Sequence, residues 1–113
     1  MKDISRVVKL TQDLIAINSE NPPGREQEVA SYIREYLESS GIAVRQIGPS
    51  DRPNLVCSTA ESELGPVVFH GHMDTVPIGE KASWEHDPFE GRIQDGRIYG
   101  RGSCDMKGPV AAL

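Results

Sequence analysis

Pro66-Val67-Val68-Phe69-His70-Gly71-His72-Met73-Asp74-Thr75-Val76-Pro77 is the stretch on which the reading of this chain turns. Its first five residues form a short apolar run that reads as a buried strand, and Thr75-Val76-Pro77 reads as a loop leaving the end of that strand. His72 and Asp74 thereby fall at the edge of a sheet, where the sites of open α/β sheets gather. Neutral imidazole is a good zinc ligand, and a metal-bound histidine usually donates its other ring N–H to a carboxylate that fixes its tautomer. Asp74, two residues on, can supply that carboxylate. Taken alone, a His-x-Asp triplet is a weak signal.

Upstream of this stretch the periodicity is helical. Ile4, Val7, Val8, Leu14 and Ile15 recur at intervals of three and four, which predicts a helix from about Asp3 to Ile17, with Asp3 as N-cap. Asn18-Ser19-Glu20-Asn21-Pro22-Pro23-Gly24 stops it, because the residue before a proline is pushed out of the α region and proline lacks a donor. A second helix is expected from Arg25 or Glu26 to Ser40, burying Val29, Ile33, Tyr36 and Leu37, with Gly41 at its C′ position. Ile42 to Ile47 partly alternates and Asn54 to Cys57 is short and apolar, so both read as strands. Helices followed by strands predict an α/β core of helices packed on a mixed sheet.

Downstream, Asp95-Gly96 lies between Arg92-Ile93-Gln94 and Arg97-Ile98-Tyr99, and Asp-Gly favours the left-handed dihedrals of a tight turn, so a β-hairpin is expected near 89–100. After Asp105-Met106, the run Lys107 to Leu113 reads as the opening turns of a helix, with proline near the first turn. A helix that short is marginal without tertiary packing, so the chain reads as cut inside an element. No repeat or linker argues for a second domain.

Composition narrows the class. The 113 residues lie within the size range of one domain, and 37% hydrophobic with 26% charged residues describe an ordinary globular sequence. No apolar run approaches bilayer length, and the amino terminus lacks the apolar stretch of a secretory signal, so a cytoplasmic protein is expected. A formal charge of -5 gives no attraction for phosphate backbones or anionic lipid, so neither nucleic acid nor a membrane is an expected partner. The two cysteines, Cys57 and Cys104, lack the spacing of a disulfide scaffold and are expected to be reduced.

A second chemical element is Tyr99-Gly100-Arg101-Gly102-Ser103-Cys104-Asp105-Met106-Lys107-Gly108. Its glycines permit a tight backbone path around a carboxylate just ahead of the expected helix. One carboxylate can bridge two metal ions roughly 3.5 to 4 Å apart, the separation used by two-metal hydrolases. The plainer alternative is that Asp105 only caps the helix. His70 is expected to be a packed or hydrogen-bonded core residue, and His86 an exposed loop residue. Cys104 is expected to serve packing, its side chain turned away from any site. Arg101 and Lys107 carry charges of the kind commonly solvated at turns and helix starts, and Glu61 and Glu63 read as a solvated turn.

Together the two elements resemble the aminoacylase, acetylornithine deacetylase and succinyl-diaminopimelate desuccinylase family of co-catalytic zinc metallohydrolases, which includes several carboxypeptidases and dipeptidases. Gly71 to Pro77 is similar to the family's first metal motif, Trp84 with Asp87-Pro88-Phe89 to the segment after it, and Asp95 to Gly102 through Asp105 to Gly108 to the second. A weaker resemblance extends over Ile17 to Gly24 and the helix after it. The resemblance implies the first part of a zinc-aminopeptidase-like catalytic domain, with residues 1–113 its truncated N-terminal portion and the inserted dimerisation domain absent.

It implies two divalent metals, zinc or else cobalt or manganese. His72 would bind one, Asp105 would bridge both, and Asp74 would serve the catalytic site by orienting His72. The implied activity is hydrolysis of an amide bond in an N-acyl amino acid or small peptide, a deacylase or peptidase reaction of amino-acid metabolism, by a homodimeric parent. The family's Glu-Glu pair, further acidic ligand and final histidine have no counterpart here, so this chain alone is expected to be inactive. The rival reading is a non-catalytic remnant or binding module that retains half of the fold.

Overall fold

The structure, a computed structural model, describes residues 4–60 and 65–113. In order along the chain lie α1 (Ile4–Ala16), α2 (Glu26–Ser39), β1 (Val44–Ile47), β2 (Asn54–Cys57), a 3-10 turn (Lys81–Ser83), β3 (Arg92–Gln94), β4 (Arg97–Tyr99) and α3 (Lys107–Ala112). The α/β class holds. Asp3 as N-cap and the solvated turn at Glu61 and Glu63 lie outside the described residues.

The apolar stripe of α1 delivers Leu14 and Ile15 to the core, at 3% and 0% exposure. Burying such a side chain stabilises the fold by about 1.5–3 kcal/mol. Ile4, at the other end of the stripe, is 79% exposed, a correction to its expected place on the buried face. α1 packs chiefly against α3. On α2, Val29 and Ala30 are buried, while Ile33, Tyr36 and Leu37 are half-buried. Long polar side chains tie α2 to α1: the Tyr32 hydroxyl donates to Asp13 at 2.9 Å and Arg6 Nε donates to the Tyr36 hydroxyl at 2.6 Å. α2 ends as expected at Gly41, whose φ of +80° suits glycine. Gly41 N–H donates to Glu38 O and Ile42 N–H to Leu37 O, the paired bonds of a Schellman motif.

The strands form two separate antiparallel pairs. β1 runs against β2 with Val44 opposite Cys57 and Ile47 opposite Asn54, and β3 against β4 with Arg92 opposite Tyr99. Asp95 and Gly96 close the second pair with φ of +51° and +73°, the left-handed turn that Asp-Gly favours. Among the described residues a parallel bridge joins Glu20 to Thr75.

Residues 66–70 are the main departure. The expected strand is neither helix nor strand, and Val67, Val68 and Phe69 are 82%, 75% and 73% exposed instead of buried. A strand exists only through its hydrogen-bonded neighbours, and among the described residues no other segment pairs with this one. No helix among the described residues is long and apolar enough to cross a membrane.

Candidate functional site

Two loops meet at one end of the α1–α3 contact: residues 71–78, and the turn from Gly100 to Met106 that feeds α3. Their meeting depends on close backbone approach. A Cβ on Gly102, whose φ is +82°, would lie 2.7 Å from Thr75 Cγ2, so only glycine lets the second loop settle on the first. Met106 Sδ accepts the His72 backbone N–H at 3.3 Å and lies over Gly71.

His72 and Asp105, 33 positions apart, come together: His72 Nε2 is 2.8 Å from Asp105 Oδ1. The other ring nitrogen, Nδ1, is 3.0 Å from Asp74 Oδ1 and 3.0 Å from the Asp74 carbonyl. All three sequence-predicted site residues thus form one cluster. The Asp105 side chain is 86% exposed and that of His72 48%, so the cluster faces solvent. Asp105 does not cap α3: the N-cap is Met106, and no side chain makes a cap hydrogen bond there.

Electrostatics follow from this line of contacts. Burial is the strongest single influence on His72 and opposes its charge. Hydrogen bonds to Asp105 and Asp74 and the charges of both carboxylates outweigh it, and the pKa rises above the usual imidazole value. The Asp74 carboxyl is held below its usual range, first by a hydrogen bond from the Asn21 side chain, against burial, and then by His72. An imidazole nitrogen and a carboxylate oxygen converging at 2.8 Å are donor types that suit zinc and related divalent cations. Among the described residues no group of three or more His, Cys, Asp or Glu side chains is arranged to hold a metal ion.

The sequence reading missed the residues that hold this cluster in place. Asn21 Nδ2 donates to Asp74 Oδ2 at 3.0 Å, and Ser19 Oγ to Met73 O at 2.8 Å. Glu20 Oε1 accepts Ile78 N–H at 2.7 Å. The weak resemblance over residues 17–24 was the available signal, but it attached no role to any of them.

Several single-residue expectations are corrected. His70 is exposed and not part of a core, because the segment carrying it has no strand beside it. His86 is half-buried, its ring edge-on to Tyr99 with centroids 5.4 Å apart. Cys104 is exposed and free, in the turn before α3, where it packs against no core. Arg101 is not simply solvated: its guanidinium lies 5.0 Å over the Trp84 ring and donates to Pro77 O at 3.3 Å. Lys107 is 1% exposed and donates to Ile17 O at 2.5 Å. Burial pushes its pKa down to about 8.

Residues 68–113, which carry both loops, match the family model described as Peptidase family M20/M25/M40. Over those residues the chain is similar to that family. Its similarity to curated relatives extends well upstream of the matched residues. It is 41% identical over 112 residues to a succinyl-diaminopimelate desuccinylase from Methylobacterium radiotolerans, covering 94% of this chain. It is 42% identical over 110 residues to the enzyme of the same name from Methylorubrum populi, covering 92%. The chain spans about 27% of the length of these relatives. A solved M20 family metallo-carboxypeptidase from Sulfolobus solfataricus superposes with a TM-score of 0.80 at 23% identity, over 94% of this chain and 25% of that one, and shares its fold.

Proposed function

We propose that this chain supplies the first part of a two-metal hydrolase of amide bonds, with His72 and Asp105 as metal ligands. The observation that carries the reading is the convergence of His72 Nε2 and Asp105 Oδ1 at 2.8 Å while Asp74 occupies Nδ1. Both ring nitrogens face acceptors, and Nε2 together with the Asp105 carboxylate would hold the cation, zinc or else cobalt or manganese. Asp74 then keeps the remaining ring proton on Nδ1, which fixes the tautomer and raises the basicity of Nε2. Asp105, whose carboxylate has two oxygens, would be the residue shared with a second cation. Bound cations of this kind activate water and polarise the scissile carbonyl.

The general base and the other ligands are assigned to sequence outside this chain, so these residues alone bind metal without turning over substrate. The substrate class is an N-acyl amino acid or small peptide. The desuccinylase relatives favour an N-succinyl amino acid, and the carboxypeptidase neighbour keeps a peptide as the alternative. The whole protein is proposed to be cytoplasmic and homodimeric, residues 1–113 forming the N-terminal portion of its catalytic domain. The second reading, a binding module without catalysis, is favoured by the lack of a third clustered ligand among the described residues.

A chimera tests the function. Residues 1–113 replace the corresponding segment of the Methylobacterium radiotolerans desuccinylase, and succinate release is measured. Turnover by the chimera, abolished by His72→Ala or Asp105→Ala, is the expected result. A folded, metal-loaded chimera without activity would overturn the hydrolase reading in favour of the binding module, and turnover by residues 1–113 alone would overturn the placement of the base outside them.

A further inference from the structure

Four side chains stand in line from the loop after α1 to the turn before α3: Asn21, Asp74, His72 and Asp105. Asn21 Nδ2 donates to Asp74 Oδ2 at 3.0 Å, Asp74 Oδ1 faces His72 Nδ1 at 3.0 Å, and His72 Nε2 faces Asp105 Oδ1 at 2.8 Å. Each oxygen of Asp74 therefore has its own partner. A carboxylate gripped at one oxygen is no longer free to rotate, and it presents the other to the ring in a fixed direction. The amide nitrogen of Asn21, not its oxygen, faces Asp74, because an ionised carboxylate only accepts.

The Asn21 backbone is itself held. Its N–H donates to Thr75 O at 2.8 Å, and Thr75 N–H donates back to Ser19 O at 2.9 Å. Ser19 Oγ adds a bond to Met73 O at 2.8 Å. Position 21 precedes Pro22, which confines its backbone to extended conformations. The side chain thus reaches Asp74 from a loop stitched to the segment on which Asp74 sits.

We infer that Asn21 is a positioning residue for the candidate metal centre: its amide holds Asp74 in the orientation that keeps His72 Nε2 aimed at Asp105. This rests on the reading of His72 and Asp105 as ligands.

The test compares the wild-type chain with Asn21→Asp, Asn21→Ala and Ser19→Ala. Asn21→Asp sets a second carboxylate against Asp74, Asn21→Ala removes the donor without adding charge, and Ser19→Ala removes a different stitch of the same loop. The first readout is the pair of ring 15N shifts of His72 in the metal-free protein at alkaline pH. The wild type and Ser19→Ala are expected to hold the proton on Nδ1, and both Asn21 variants to shift toward an averaged or Nε2-protonated ring. Unchanged ring shifts in the Asn21 variants would overturn the inference.

The second readout is cobalt affinity by visible absorption. A loss of about 10- to 100-fold is expected in the Asn21 variants, the usual effect of removing a group that supports a ligand, with Ser19→Ala close to wild type. Unchanged affinity in the Asn21 variants, or an equal loss in Ser19→Ala, would overturn the inference, the latter by marking a general effect of the loop. A wild-type chain that binds no cobalt contradicts the ligand reading instead, and the ring comparison then decides Asn21 by itself.

Discussion

The ammonium group of Lys107 donates to the backbone carbonyl of Ile17 across 90 positions of sequence, and in doing so joins the start of α3 to the end of α1. Lys107 is almost fully buried, and this bond is its compensation for leaving water. Its pKa falls from 10.5 to about 8, so between those values the unfolded chain binds more protons than the folded one, and stability rises with pH. Chemical denaturation of the wild type at pH 8 and pH 10 should show an increase of up to roughly 3 kcal/mol, at about 1.4 kcal/mol per pH unit. The rise ends near pH 10, because Tyr32, pushed up to about 12 by burial and by its bond to Asp13, begins to act in the opposite sense. Lys107→Met should lose the rise, and a rise equal to that of the wild type would contradict the assignment.

Glu20 gives a second pH dependence, of the same sign, on the acid side. Its carboxylate is stabilised first by the Ile78 N–H, against burial, and then by Asn18, which lowers its pKa from 4.5. The stability it contributes is present above that value and is lost as pH falls through the lower folded value. The melting temperature should therefore drop at acid pH, and Glu20→Gln should flatten that part of the profile. Superimposable profiles would remove Glu20 from the account.

The core prediction separates the two ends of α1. Ile15→Ala removes a side chain with no exposure and should cost about 2–5 kcal/mol. Ile4→Ala, at a site 79% exposed, should change stability by no more than about 0.5 kcal/mol. Equal effects in denaturant titrations would mean that the buried stripe is misplaced.

At Gly102 an alanine meets two obstacles: a φ of +82° and the methyl of Thr75 at 2.7 Å. At Gly79, φ is +69° and nothing lies within 4 Å of an added Cβ. Gly79→Ala should cost about 1–2 kcal/mol from backbone strain alone, and Gly102→Ala more, read as a larger fall in melting temperature. A Gly102→Ala chain as stable as Gly79→Ala would contradict the close approach of the two loops.

What the sequence disclosed was local in origin. Asp95-Gly96 carries its own turn chemistry, Gly41 its own helix stop, and the stripe of α1 needs only its period, so each element was legible without knowledge of the rest. Val67 to Phe69 misled because an apolar run reads as a strand whether or not another strand lies beside it, and among the described residues none does. His70 was misplaced with it. The two motifs named His72, Asp74 and Asp105, but nothing in their spacing disclosed that Asn21 would reach Asp74 across 53 positions, or that Lys107 would be buried. Contacts of that range depend on how loops dock, which periodicity does not encode.

His72 and Asp105 are proposed to hold a divalent cation together, and calorimetric titration of zinc into the metal-free chain, beside His72→Ala and Asp105→Ala, tests this. Weak binding by the wild type that is lost in both variants is the expected result. Wild-type binding that survives both substitutions, or no binding at all, would contradict it.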